Sequence, residues 1–122
     1  MADLVRINAS ETTDIRPFTD GKGELRAVEL DGRAVGVATF QPGWRWSQHV
    51  KPIVGGDSCQ SAHTGYFISG RMHVMSDSGQ GMDYGPGDFA TMAPGHDAWV
   101  LGDEPAVFID WTGYADYARP AS

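Results

Sequence analysis

One cysteine and four histidines are the side chains of this 122-residue chain best suited to holding a metal ion. Cys59 stands four residues before His63 in the stretch DSCQSAHTGYFISG, Asp57 to Gly70, and His63 directly precedes a short apolar run closed by glycine. Thiolate and imidazole both suit a borderline-soft divalent ion, so the pair is the beginning of a metal site. A site needs more donors. His96, delivered by the turn Ala93-Pro94-Gly95, and His49, in the segment Trp44 to Pro52, are the candidates to supply them. His73 is different: it falls mid-strand between Arg71 and Met75 and reads as a packing or solvent-facing residue.

Such donors must be held by a scaffold, and the composition points to β structure. A chain of 122 residues fits one domain that can bury roughly two thirds of its extended surface without disulfides. Sixteen glycines and seven prolines imply many turns, and many turns in a short chain favour strands. A formal net charge of −7 argues against a surface that gathers nucleic acid phosphates or anionic lipid. A single cysteine forms no internal disulfide. The opening MADLVRINASETT has neither a basic nor an apolar signal region, and no apolar run reaches membrane-spanning length, so a cytoplasmic location is expected.

Along the chain, residues 1–24 read as an N-terminal extension, with Leu4, Val5 and Ile7 as a short edge strand and Pro17 to Gly23 as a loop. Leu25 to Leu30 and Arg33 to Gln41 are β-rich runs joined by Asp31-Gly32, a two-residue signal for a tight hairpin with positive φ. Trp44 to Pro52 and the Gly55-Gly56 segment before Cys59 read as irregular. Strands are then expected from His63, over Arg71 to Asp77, Gln80 to Tyr84, Phe89 to Met92, Asp97 to Leu101 and Ala106 to Trp111. Each is bounded by Gly, Pro, Asp or Ser turn chemistry. No segment keeps the helical period over ten residues, although Tyr114 to Arg119 suits one helical turn. Short strands at such spacing indicate an antiparallel sandwich or small barrel.

From Gly43 to Trp99 the residues resemble the two sequence blocks of cupins, small double-sheet jelly rolls. The second block is followed through Gly87, Pro94, Gly95 and His96. In the first, His63, with Gly70 closing the strand that it opens, stands where that family places a glutamate. Gly43 followed by His49 fits the start of the block, but Lys51 occupies the second place of its His-x-His pair. Counting back from His63 instead puts Asp57 and Cys59 in those places, and an insertion over Pro52 to Gly56 reconciles the two counts. The resemblance implies an all-β, double-stranded β-helix with residues 1–122 as a single cupin domain and residues 40–112 as its barrel core. It also implies a divalent metal, Fe, Zn, Ni or Mn, held by His49, His63 and His96 with Cys59 as a possible fourth ligand. Homodimers are common in such a family.

Other residues extend this reading. Trp44 and Trp46 flank the candidate ligand loop and Trp99 lies on the strand leaving His96, so some of the tryptophans can wall a pocket for a ring-containing ligand. Asp97, beside His96, is placed to face the other side of its strand; Asp88 reads as a turn residue, and Arg45 and Lys51 as solvated surface. Two functions fit. One is a metal-dependent enzyme of oxygenase, isomerase or cyclase type acting on a small-molecule substrate; the other is a binding or sensing module that catalyses nothing. A metal-free sugar epimerase of related fold would need a histidine base paired with a tyrosine acid, and no such pair stands out.

Overall fold

The computed structural model describes residues 3–112 and residue 118. Within them, nine strands run in chain order: β1 (Asp14–Pro17), β2 (Gly23–Leu30), β3 (Arg33–Phe40), β4 (His63–Ser69), β5 (Arg71–Ser76), β6 (Gly81–Tyr84), β7 (Phe89–Met92), β8 (His96–Leu101) and β9 (Ala106–Asp110). Two short helices, α1 (Trp46–His49) and α2 (Lys51–Val54), lie between β3 and β4. The strands form a six-stranded sheet ordered β1-β2-β3-β9-β4-β7 and a three-stranded sheet ordered β6-β5-β8. All paired strands are antiparallel. This is an antiparallel sandwich of the kind the turn spacing indicates, and the jelly roll that the resemblance implies.

The hairpin between β2 and β3 forms at Asp31-Gly32, where both residues take positive φ, 49° and 80°. Two such residues in succession give a turn whose twist matches the flanking strands. Leu30 then pairs with Arg33 and the register runs back to Gly23 opposite Phe40. Strand alternation does the rest: Leu25 of β2, Ala38 and Phe40 of β3, Phe67 of β4 and Phe108 of β9 are buried in one core cluster. Phe18, Phe40 and Trp44 stack at one end of the core, and Phe67 packs on Phe108 with centroids 4.6 Å apart. Full burial of a side chain such as Phe67, at 0% exposure, contributes about 2 kcal/mol.

The N-terminal edge differs from expectation. Leu4 and Val5 are exposed at 91% and 52% and pair with nothing, and the edge strand is Asp14–Pro17. Arg16 of that strand, by contrast, is buried beside Asp14 with its guanidinium 2.9 Å from the carboxylate. The segment before Cys59 also differs, because Trp46 to Val54 folds into two helical turns. Capping explains this: the Asp97 carboxylate, from β8, accepts the Ser47 N–H, Pro52 occupies the first turn of α2, and Gly55 ends it at φ 78°. The helical turn expected over Tyr114 to Arg119 lies outside the described residues except at Ala118.

Candidate metal centre

Three segments converge at one end of the space between the sheets. β4 brings His63 on its buried face, in phase with Gly65 and Phe67. β8 starts at His96, in phase with buried Ala98 and Val100. Cys59, which is outside any strand, is fixed to β8 by an isolated bridge: its N–H donates to the His96 carbonyl at 2.7 Å, and its carbonyl accepts from Gly95 at 2.7 Å and His96 at 3.2 Å. That bridge turns a loop cysteine toward the same interior as His96. The donor atoms of Cys59, His63 and His96 all lie within 4.8 Å of one another, and all three residues are buried. Cys59 Sγ and His63 Nε2 are 3.7 Å apart.

Each imidazole is held from behind. His63 Nδ1 sits 2.5 Å from Asp110 Oδ2 and donates to it, which leaves Nε2 facing Cys59. His96 Nδ1 donates to the Ala93 carbonyl at 2.8 Å, which leaves its Nε2 to face the centre. A ring nitrogen anchored to a carboxylate or carbonyl fixes the tautomer and orientation that a metal ligand needs. Asp110 was not singled out from the sequence. The signal was there in the alternation of β9, where Ala106, Phe108 and Asp110 share the buried face.

Close approach of β9 to β4 is what lets this pair meet. Gly65 is aligned with Asp110, and a Cβ on Gly65 would lie 2.0 Å from the Ile109 carbonyl oxygen and 2.5 Å from the Phe108 ring. Only glycine fits there.

Electrostatics favours charge separation in the metal-free centre. Burial alone would push the Cys59 thiol up, but hydrogen bonds to His63 and His96 and their charge outweigh it and bring it down from 9.0 to about 6. Burial alone would lower His63, but Asp110 and Cys59 outweigh it and raise it from 6.5 to about 9. Near neutral pH the metal-free pair is therefore thiolate and imidazolium. The thiolate is the form that ligates.

The centre borders a cavity of about 30 Å³ whose walls include Phe40, Trp44, Trp46, Met72, Met92 and Phe108. That volume accommodates an ion and a water or two. Trp44 is 2% exposed, yet its indole N–H has no hydrogen-bond partner among the described residues. An orphaned donor beside a converging set of donors fits a cavity built around an occupant. Thiolate with two imidazoles is in turn a chemically suitable set for a divalent transition ion.

The remaining sequence candidates are placed elsewhere. His49 is buried but does not join the group: it sits in α1 with Nδ1 accepting the Arg45 backbone N–H at 2.9 Å, which gives it a helix-capping role. The helical fold of Trp46 to Val54 turns it away from the cavity that His63 and His96 face. His73 packs against Trp99 on the outer surface and bonds Asp83 through Nδ1. Trp99 also carries Arg45 on its face at 4.1 Å and takes no part in the cavity, unlike Trp44 and Trp46. Asp97 anchors α1 and lies 3.7 Å from Arg45. Asp88 accepts the Gly85 N–H in the turn before β7.

No family model and no curated protein matches the chain, but solved structures do. A protein with a double-stranded β-helix domain from Klebsiella pneumoniae is similar over 98% of this chain and 100% of its own, with 23% identity and a TM-score of 0.59. A protein of unknown function from Acidithiobacillus ferrooxidans matches over 80% and 85%, with 19% identity and a TM-score of 0.59. The oxalate decarboxylase of Bacillus subtilis, which has Mn(II) centres, matches over 80% of this chain and 27% of its own, at 24% identity and a TM-score of 0.52. The chain has the cupin-like double-stranded β-helix fold. Its Cys59, His63 and His96 form a possible metal site within that fold. No helix among the described residues is long and apolar enough to cross a membrane.

Proposed function

We propose that this chain is a metal-binding cupin acting as a small metalloenzyme on a cyclic or aromatic organic substrate, by oxygenase, isomerase or cyclase type chemistry. The observation that carries the reading is the convergence of Cys59, His63 and His96 within 4.8 Å, with both rings oriented through their Nδ1 atoms. A soft thiolate donor favours Zn(II), Fe(II) or Ni(II) over Mn(II). When bound, such an ion supplies Lewis-acid polarisation of a carbonyl or enolate oxygen, or electron transfer to dioxygen if it is iron. Asp110 keeps the proton of His63 on Nδ1 and so reserves Nε2 for the centre. Phe40, Trp44 and Trp46 provide flat apolar walls and keep bulk water out.

A second reading is favoured by one specific observation. The cavity of about 30 Å³ is too small for an organic substrate as it stands, which suits a module that binds metal and senses rather than transforms. Metal analysis tests the shared premise. Gently purified protein is expected to carry or take up about one divalent ion per chain, and His96→Ala is expected to lose it while keeping its circular dichroism. Unchanged metal content in His96→Ala contradicts the assignment. Self-association belongs to the same proposal, because among the described residues β1 is the last strand of the larger sheet; light scattering is expected to give a dimer mass.

A further inference from the structure

Among the described residues, β6 ends the three-stranded sheet and β7 ends the six-stranded one, and the two edges lie on one groove. Between them is a groove of about 490 Å³ lined by both edges, with Ser76, Gln80, Met82, Tyr84 and Thr91 among its walls. This is within the range of organic-ligand pockets, whereas the cavity at the metal centre, about 30 Å³, is far below it. Groove and cavity share two lining residues, Met92 and His96. His96 is a member of the donor group, so the groove borders the centre directly. Met92 is a half-buried, unbranched side chain with three rotatable bonds, the kind that can swing aside.

The charges of this path are one-sided. Among the described residues, and apart from His96, the groove walls hold no ionisable side chain except the Tyr84 phenol, whose pKa burial and Asp88 raise above its ordinary value, so it is neutral. The cavity walls add Cys59, His63 and Asp110, and among the described residues no arginine or lysine lines either space. The groove therefore offers a carboxylate no cation along its length before the centre is reached, and leaving water without such a partner is costly.

We propose that the β6–β7 groove is the binding site for an uncharged organic ligand, whose reactive end reaches the Cys59–His63–His96 centre past Met92. This rests on the metal-centre reading and names its ligand class. Hydroxyl and amide groups of Ser76, Gln80 and Thr91 offer neutral hydrogen bonding, and Met82 supplies apolar contact.

The single cysteine makes the path measurable without turnover. Metal-free full-length protein is treated with iodoacetamide, neutral, or iodoacetate, anionic, and modification is followed by intact mass. In both reactions the Cys59 sulfur forms a bond to carbon as iodide leaves with the electron pair. The expected preference for iodoacetamide exceeds that of 2-mercaptoethanol at the same pH by about tenfold or more. Met92→Ala is expected to speed iodoacetamide modification by about fivefold or more, and Ser76→Phe, which adds bulk to the groove, to slow it by a similar factor. Circular dichroism checks that each variant is folded. Equal relative rates for the two reagents overturn the ligand class. Unchanged rates in whichever of the two variants folds overturn the path. Metal content of the untreated protein is measured separately, so loss of the metal reading and loss of this one are distinguishable.

Discussion

Replacing Cys59 by serine in the metal-free protein should convert a flat dependence of stability on pH into a falling one. The raised pKa of His63 means that its contribution is complete below 6.5 and is lost as pH rises through about 9. The depressed pKa of Cys59 has the opposite sign: its contribution is complete above 9.0 and is lost as pH falls through about 6. Between about 6.5 and 9 the folded pair holds one proton, on His63, and the unfolded pair holds one proton, on Cys59. Folding then moves a proton within the pair and takes up none from solution. The pair's net contribution to the slope is near zero.

Cys59→Ser removes the compensating half. One proton per molecule corresponds to about 1.4 kcal/mol per pH unit. Over the window in which His63 stays protonated, the full effect would be about 3 kcal/mol. Cys59 itself supplies part of what holds His63 up, so the expected loss between pH about 6.5 and about 8.5 is about 2 kcal/mol. Urea unfolding of chelator-treated protein at several pH values measures it. A serine variant whose stability changes with pH no more than that of the parent refutes the thiolate–imidazolium pairing.

Other outcomes follow from particular contacts. His49→Ala should cost about 1 kcal/mol by removing the acceptor of the Arg45 N–H while leaving metal content unchanged, read by thermal denaturation and metal analysis. Gly65→Ala should destabilise by about 3 kcal/mol, because a Cβ would meet the Ile109 carbonyl at 2.0 Å, and chemical denaturation reports it. Asp110→Asn should weaken metal affinity about tenfold or more, since His63 loses the carboxylate that orients it; competition with a chromophoric chelator is the assay.

Much of the β scaffold was legible because turn chemistry is local. Asp31-Gly32 specifies its hairpin from two residues, and the Pro94-Gly95 turn delivers His96 at the first position of β8. The departures came from tertiary partners. The region from Trp46 to Val54 has no helical period long enough to see, and its turns rest on Asp97 from a distant strand and on His49 bonding back to Arg45. Composition of the centre followed the same division. Cys59 and His63 stand close in sequence, but the bridge from Cys59 to His96 spans a separation that no spacing rule contains. Asp110 was readable only from parity in β9, and its meeting with His63 depends on the absence of a side chain at Gly65.

The central claim is that Cys59, His63 and His96 are ligands of one ion. X-ray absorption at the zinc edge of stoichiometrically loaded protein tests it most directly. The expected shell contains one sulfur at about 2.3 Å and two nitrogens at about 2.0 Å, with the sulfur lost in Cys59→Ser. A shell of nitrogen and oxygen alone in the unsubstituted protein, or no uptake of zinc, would contradict it.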